Sequence, residues 1–326
     1  RDFREYLLSH CPHTRGWSRQ DPRWNDELGI DLRDRRLCPD GTIESFDYRA
    51  FMQRKGLQQN PTSPSNPLAG VWAQFRSWRD DQAWSLLTER IRTYAKAKNR
   101  TVLISANGIA KYVDLQVLGV WGNWVTRDGH IDLSESQLPI WRSIVKRGHS
   151  VAGQRVPVVL FHDWGFGDPP FPFLAVPPSE RETWMRVRGA EIYAAGAYFA
   201  FPVLGPFGCD AKKDCTLPVI QQQTAFYQRH RELYLRGRFV GSEALSSDTT
   251  NLSLAAWQLD DPRVVLLHVI NRNVEDGQLC PPTDITVRAP FKQRPEKAEV
   301  ISPDWSGTRS ALCRTGNGGL EVTLPN

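Results

Sequence analysis

Val156-Pro157-Val158-Val159-Leu160-Phe161 is a short apolar run that leads directly into His162-Asp163-Trp164. Short runs that are apolar throughout are typical of strands buried on both faces of a parallel sheet. Segments that can form helices lie between several of these runs, so the sequence predicts an α/β fold. Three further runs have the same form: Thr101–Ala106, Leu115–Val120 and Ile192–Phe201.

Helical segments are predicted on both sides of these strands. A short helix at residues 3–10 precedes an irregular stretch that reaches residue 66, and apolar residues then recur at helical spacing between Pro67 and Lys98. Ser179 and Glu182 form the capping-box pattern that marks a helix start. Two more helices are predicted at Ser136–Lys146 and Leu217–Leu235.

One connection is short for a parallel sheet. Only residues 107–113 separate the first two predicted strands, whereas a parallel crossover normally needs about a dozen residues or more. The parallel arrangement therefore requires a compressed connection at this point.

The pattern changes after Gly237 to short strands separated by turn residues, which is typical of an antiparallel sandwich. Four parallel strands cannot close a barrel of eight. We therefore predict that residues 1–237 form the C-terminal half of a (β/α)₈ TIM-type barrel and residues 238–326 a small, truncated antiparallel β-sandwich. The late strands are predicted at Leu252–Gln258, Val264–Asn271, Asp284–Ala289, Ala298–Ile301 and Leu320–Leu324.

Composition and charge exclude several classes of protein. The net charge of the 326 residues is +5 and the basic residues are scattered, whereas nucleic-acid binders concentrate charge on one face, so no nucleic-acid partner is expected. No apolar run approaches eighteen residues, so no membrane insertion is expected. The sequence carries no Walker A, G-x-S-x-G or H-E-x-x-H motif, and we predict no cofactor and no metal.

Six cysteines fall into three local pairs: Cys11 with Cys38, Cys209 with Cys215, and Cys280 with Cys313. An even number of cysteines with plausible partners is typical of disulfide-bonded proteins in oxidising compartments. A zinc site is the alternative, but the sequence contains no CxxC. We therefore expect a secreted or periplasmic protein with disulfides.

The candidate site residues lie at the ends of the predicted strands, because barrel enzymes place their active sites there. Sugars stack on aromatic rings and exchange hydrogen bonds with amide, imidazole and carboxylate groups. The same aromatic residues could instead fill the core. The strand ends predict these substrate-binding residues: Asn107, Trp121, Asn123, Trp124, His162 and Trp164.

Asp163 is the candidate catalytic residue. It follows an apolar run and precedes a loop rich in Gly and Pro, and glycoside hydrolysis uses a pair of carboxyl groups. Asp163 could alternatively bind a sugar hydroxyl or hold its own loop. Asp114 and Glu191 are predicted to be structural, with Glu191 paired to Arg188 or Arg186.

Several short passages resemble retaining glycoside hydrolases of the dextranase and cycloisomaltooligosaccharide glucanotransferase group. Ser105–Gly108 is similar to a strand of that group that ends in asparagine, and Tyr112–Trp121 to the next strand, which begins with Val-Asp. The other similar passages are Ala190–Ala197 with the last barrel strand, His268–Asn271 with a strand of the C-terminal sandwich, and Phe3–Leu7 with a helix of β-galactosidase-like barrels.

The resemblance implies a glycoside hydrolase acting on polysaccharides or oligosaccharides, but it carries no catalytic residue to this chain. The acid/base glutamate of the group, five positions after the Val-Asp aspartate, corresponds to Gly119, and its nucleophile would precede residue 1. A relative that binds glycans without cleaving them is the alternative. A structural surface protein with a scaffold barrel is a third hypothesis.

Overall fold

The chain divides into two compact units, Arg1–Val102 and Leu103–Asn326. The domain boundary predicted at Gly237 falls inside the second unit. The side chains at a few element ends, among them that of His162, lie outside the described part. The computed structural model describes residues 2–58, 60–120, 130–162, 177–200, 216–235, 237–261, 263–280, 285–291, 295, 297–316 and 319–324.

The first unit is helical in the residues that the structure describes. The long helix α4, Ala69–Ala97, covers most of the segment in which helical spacing was predicted. None of the described helices of the chain is long and apolar enough to cross a membrane. The elements of this unit are α1 Asp2–Ser9, α2 Arg23–Asp26, a 3₁₀ turn at Ile43–Ser45, α3 Tyr48–Arg54 and α4 Ala69–Ala97.

The stretch predicted to be irregular contributes much of the core of this unit. Trp24, Ile30 and Phe51 are fully buried there. Aspartate side chains order the intervening turns by accepting hydrogen bonds from backbone N–H groups two or three residues further on, as Asp34 and Asp47 do. Such turns have no hydrophobic period, so the pattern of the sequence did not predict a core in this stretch.

The disulfide prediction is wrong for the cysteines that the structure describes. Cys11 and Cys38 are buried as free thiols in the apolar core of the first unit, and neither Cys280 nor Cys313 forms a disulfide. Burial, with Asp40 and Asp31 nearby, raises the pKa of Cys38 to about 11, so its thiol is protonated and packs as a small apolar group. Cys209 and Cys215 lie outside the described residues.

Alkylation separates free thiols from disulfides. We expect a thiol reagent applied in denaturant without reductant to label Cys11, Cys38, Cys280 and Cys313, and we expect Cys38 to stay unlabelled in the folded protein because its thiol is buried. Peptide mass spectrometry measures both. A peptide in which Cys11 is joined to Cys38 would contradict the structure.

The second unit begins with a four-stranded parallel sheet, which confirms the predicted parallel arrangement of these strands. The strand order follows the chain, β1-β2-β3-β4. The compressed connection is present after β1, where Gly108 and Tyr112 adopt positive φ angles of 122° and 62°. The strands are β1 Ser105–Asn107, β2 Leu115–Val120, β3 Val158–His162 and β4 Tyr198–Ala200.

Helices of the second unit cover one face of this sheet. Trp141 and Val145 of α5 (Leu138–Ala152) pack with Ile192 of α6 (Pro178–Ala194) against Val158 and Leu160 of β3. The prediction that Ser179 caps α6 is wrong, because the helix begins at Pro178 with Pro177 at the N-cap position. The helices are α5 Leu138–Ala152, α6 Pro178–Ala194, α7 Thr216–Arg229 and α8 Arg231–Leu235.

The strand that was predicted to begin at Ile192 begins at Tyr198, because residues 192–194 belong to the end of helix α6. Gly196 ends this segment with a φ of 85°, and a Cβ atom there would lie 2.6 Å from the ring of Trp257. The Trp257 indole N–H donates to the Ala194 carbonyl at 2.8 Å. The packing of Trp257 on the end of α6 therefore overrides the strand propensity of this apolar run.

The remainder of the second unit is antiparallel, and the predicted late strands are present within a few residues of their predicted bounds. Ala256 and Ala289, from two different sheets, share a small apolar cluster. One sheet joins β5 Arg238–Gly241, β7 Leu252–Gln258 and β8 Val265–Asn271, and another joins β6 Ser246–Ser247, β11 Thr286–Ala289, β14 Leu312–Gly316 and β15 Gly319–Thr323. Two short ladders pair β9 Val274–Glu275 with β10 Gln278–Leu279, and β12 Glu299–Val300 with β13 Arg309–Ser310.

His268 in β8 gives the fold a pH dependence. Its side chain is buried next to the ring of Tyr234, and its Nε2 atom has no hydrogen-bond partner among the described residues. Burial lowers the pKa of His268 from 6.5 to about 4. Between these two values the unfolded chain binds a proton that the folded protein does not, so stability falls as pH falls.

We expect the free energy of unfolding to fall by about 3 kcal/mol between pH 7 and pH 4 through His268 alone. Urea denaturation at several pH values measures the change. The variant His268→Leu should lose this contribution while keeping the rest of the acid dependence. Parallel stability curves for the wild type and the variant would contradict the assignment.

Candidate functional site

The C-terminal ends of the parallel strands form one edge of the sheet, where the sequence analysis placed the site. Asn107 ends β1 and its side chain is exposed. The register pairs Asn107 with Val117, Val117 with Val159, and Val159 with Tyr198. Because paired residues point to the same side of a sheet, these four side chains share one face.

The sheet face that carries these four side chains is not the face that the helices cover. The side chains that point toward the helices, among them Gln116, Val158 and Leu160, are buried. On the opposite face, Val117 and Val159 are only half-buried and Asn107 is exposed. Parallel sheets are normally covered on both faces; within the described part of the chain, helices cover one face and the face that carries Asn107 is less buried.

The other predicted site residues are not part of the described structure. Trp121, Asn123 and Trp124 follow β2 in the sequence, and Asp163 and Trp164 follow β3; all five lie outside the described residues. His162 ends β3, but its side chain also lies outside them. The predicted convergence of these groups around one hollow stays a prediction.

A polar cleft of about 690 Å³ lies between the connection that follows β2, the start of α6 and the turn between β9 and β10. The starts of helices and the ends of strands lie on the same side of a βα unit, so the cleft lies on the side of the C-terminal sheet edge. Its lining residues are His130, Ile131, Asp132, Leu133, Ser134, Glu180, Asn251, Arg272, Asn273, Val274, Asp276 and Gly277.

A carboxylate–imidazole pair occupies one wall of this cleft. Glu180 Oε1 lies 2.7 Å from His130 Nδ1, and Glu180 Oε2 accepts a hydrogen bond of 3.0 Å from the backbone N–H of Ile131. The side chain of Glu180 is 7% exposed and that of His130 is 63% exposed. A buried carboxylate with both oxygens engaged thus orients an accessible imidazole.

The turn between β9 and β10 packs on this carboxylate. Asp276 and Gly277 adopt positive φ angles of 49° and 74°, as Asp-Gly does in the tight turns of hairpins. A Cβ atom at Gly277 would lie 2.2 Å from Glu180 Cγ, and the Thr183 hydroxyl donates to the Gly277 carbonyl at 2.8 Å. Only glycine fits against Glu180 at this position.

A buried ion pair stabilises the segments that line the cleft. Arg188 and Glu191 of α6 lie 2.7 Å apart with side chains that are 4% and 0% exposed, which confirms the predicted pairing with Arg188. Glu191 also accepts hydrogen bonds from the hydroxyls of Ser136 and Ser253, at 2.9 and 2.5 Å. Helix α6, the connection before α5 and strand β7 therefore meet at one carboxylate.

Two arginines hold the backbone of the connection that lines the cleft. Arg188 donates to the carbonyls of Asp132 and Glu135. Arg272, which follows β8, donates to the carbonyls of Leu133 and Ser134 at 2.7 and 2.6 Å. Backbone carbonyls in a buried connection need such donors, so this arrangement fixes the conformation of residues 132–135.

His130, Glu180 and Arg272 were not among the predicted site residues. His130 and Glu180 are 50 positions apart, and neither belongs to a short motif, so their pairing had no local signal. The run Asp132-Leu133-Ser134-Glu135-Ser136 does carry a signal for an ordered turn, because Asp132 accepts from both the N–H and the hydroxyl of Ser134.

No model of a known protein family matches the chain, and no curated protein is similar enough to count as a relative. The described residues contain no group of three or more His, Cys, Asp or Glu side chains that could hold a metal ion. The residues that line the cleft offer hydrogen bonding by carboxylate, imidazole and amide groups.

Removal of the buried carboxylate tests the support of the cleft. We expect Glu191→Ala to lower the free energy of unfolding by about 3–5 kcal/mol, because it leaves the buried Arg188 without its partner. The matched control is Glu182→Ala, which removes a more exposed i,i+4 partner of Arg186 and should cost at most about 1 kcal/mol. Similar losses in the two variants, measured by urea denaturation, would contradict the role of Glu191.

Proposed function

We propose that the parallel sheet is the later half of a (β/α)₈-type barrel and that the protein is a glycoside hydrolase acting on polysaccharides or oligosaccharides. The observation that carries the proposal is the order of the strands. In a doubly wound sheet the strand order reverses at a switch point. In a barrel, neighbouring strands follow one another in chain order. The four strands here lie in chain order, β1-β2-β3-β4.

The positions of helices α5 and α6 support the same proposal. Right-handed crossovers between strands that follow one another in order place successive helices on the same face, and α5 and α6 both pack on β3. The opposite face carries half-buried Val117 and Val159, as is expected of side chains that point toward a barrel interior. A less buried face suits a sheet that supplies only part of the barrel wall.

The chemistry at the sheet edge supports a sugar ligand. Asn107 is an exposed amide at the end of β1, and the candidate residues Trp121 and Asp163 directly follow β2 and β3 in the sequence. The cleft lined by His130 and Glu180 adds carboxylate, imidazole and amide groups, which are groups that bind sugar hydroxyls. We assign Asp163 the role of a catalytic carboxylate in this proposal.

A non-catalytic glycan-binding protein is the second candidate, and one position favours it. Gly119 is exposed in β2. It stands at the position of the acid/base residue in the glycoside hydrolases that the sequence resembles. Glycine supplies no carboxyl group for proton transfer, so hydrolysis would depend on carboxylates elsewhere in the protein. The exported location predicted from the cysteines stays a prediction under either function.

A panel of polysaccharides assayed for release of reducing ends tests the proposal. We expect turnover of at least one substrate, and we expect Asp163→Asn to lower it by about 10²–10⁴-fold, as the loss of a proton-transfer group does. The control is Asp261→Asn, which changes an exposed carboxylate paired with Arg263.

The outcomes of the polysaccharide assay distinguish the hydrolase from the non-catalytic glycan-binding protein. Full turnover by Asp163→Asn would remove Asp163 from the catalytic residues. Binding of a polysaccharide without release of reducing ends would favour the non-catalytic alternative. A protein that neither binds nor cleaves any member of the panel would contradict both functions.

A further inference from the structure

Two arginines of the second unit lie against the ring of Trp257. Arg142 belongs to α5, and its Cζ atom lies 5.0 Å from the centroid of the Trp257 ring and 4.5 Å from that of Phe239. Arg155 precedes β3, and its Cζ atom lies 6.0 Å from the Trp257 centroid. Aromatic rings attract guanidinium groups at such distances. Trp257 therefore brings together the positive charges of this arginine pair, Arg142 and Arg155, which come from separate segments.

Backbone carbonyls hold both guanidinium groups in place. Arg142 Nη1 donates to the carbonyl of Ala195 at 3.2 Å, and Arg155 Nη1 donates to that of Gly237 at 2.7 Å. A guanidinium has several further N–H donors. Arg142 is partly buried, yet its Nε and Nη2 atoms donate no hydrogen bond within the described part of the chain and are not sealed from solvent. Both side chains are therefore fixed while most of their donors stay available.

No carboxylate of the described residues forms an ion pair with either member of the arginine pair. Burial lowers the pKa of Arg142, and the positive charge of Arg155 lowers it further. Burial also lowers the pKa of His149, and both arginines act in the same direction, although the hydrogen bond to the Val156 carbonyl opposes them. Like charges held together without an opposite charge create a field that attracts anions.

Other partly or fully buried arginines of this unit are treated differently. Arg188 pairs with Glu191 at 2.7 Å, and Arg186 pairs with Glu182 at 2.9 Å. A carboxylate neutralises the charge and occupies the donors of a guanidinium, whereas aromatic rings do neither. The arginine pair is thus positioned in a way that keeps its charge and its donors for another group.

The arrangement of the pair indicates the class of that group. A carboxylate is planar, and a single guanidinium can satisfy both of its oxygens. Phosphate and sulfate direct their oxygens away from one plane, so they can accept hydrogen bonds from two guanidinium groups at once. Two guanidinium groups from separate segments therefore suit a tetrahedral oxyanion better than a carboxylate.

We infer that Arg142 and Arg155 form a binding site for a tetrahedral oxyanion, phosphate or sulfate, either as the free ion or as an ester group of a larger ligand. The inference goes beyond the proposed function and does not depend on it, since neither arginine belongs to the candidate glycan site. His149, on which both charges act, reports whether the site is occupied.

Calorimetry at constant ionic strength compares inorganic sulfate, inorganic phosphate and methyl phosphate with acetate. We expect saturable one-to-one binding of the tetrahedral anions and much weaker binding of acetate. Sulfate should also raise the pKa of His149, measured from its ring resonances by NMR, because the bound negative charge offsets the two arginines. Tighter binding of methyl phosphate than of inorganic phosphate would support an ester ligand, and the reverse would support the free ion.

Two variants test the arginine pair. Arg155→Gln changes an exposed side chain and should weaken sulfate binding about 10–100-fold, the loss expected for charge-assisted hydrogen bonds. Arg142→Lys keeps the charge but loses the planar fork, so it should weaken binding as well. The control is Arg263→Gln, which removes the same charge from an exposed arginine paired with Asp261 and should bind sulfate like the wild type.

Several results would overturn the inference. Sulfate binding that is unchanged in both Arg155→Gln and Arg142→Lys would exclude the pair as the site. Equal losses in Arg155→Gln and Arg263→Gln would show that only net charge matters. Acetate binding as tight as sulfate binding would contradict the tetrahedral class, and absence of saturable binding would contradict the site itself. Urea denaturation of each variant without anion separates a loss of binding from a loss of folding.

Discussion

The buried ion pair between Arg188 and Glu191 is the interaction on which the described site depends. A buried charge is tolerated only when it is paired and hydrogen-bonded, and Glu191 meets this condition by binding Arg188, Ser136 and Ser253 together. These partners come from α6, from the connection before α5 and from β7. The pair therefore requires three distant segments to meet, and it aligns the wall of the cleft.

Helix α6 connects the parallel and antiparallel parts of the second unit. One side of it packs on β3 through Ile192, and its end receives the indole N–H of Trp257. Its first turns receive the Asp276-Gly277 turn against Glu180 and Thr183. Polar contacts of Glu180, Arg188 and Glu191 in this helix hold the connection that lines the cleft.

The sequence predicted those elements that depend on the pattern of residues close together in the chain. Apolar runs such as Leu115–Val120 and Leu252–Gln258 became strands with the predicted bounds. Glu191 was predicted to pair with Arg188 or Arg186, and it pairs with Arg188. The sequence did not predict that Ile192–Ala194 would be helical, because the contact with Trp257 lies more than sixty positions away in the chain.

Much of the candidate site depends on contacts of the same long-range kind. Asn107 could be placed at a strand end from the pattern of apolar residues alone. His130 and Glu180 could not be paired, since no rule of spacing links a residue after β2 to the first turn of α6. The cysteines were misread for a related reason: proximity in the sequence cannot distinguish a disulfide from two thiols packed in one core, as Cys11 and Cys38 are.

Arg272 has a consequence for the order in which the protein folds. It donates to the carbonyls of Leu133 and Ser134, which are synthesised almost 140 residues earlier. During translation the segment after β2 must wait for β8 to leave the ribosome before its carbonyls gain these donors. The cleft therefore acquires its final shape late in synthesis, and a nascent chain that stops before residue 272 has the parallel strands but lacks one of the donors that shape this wall.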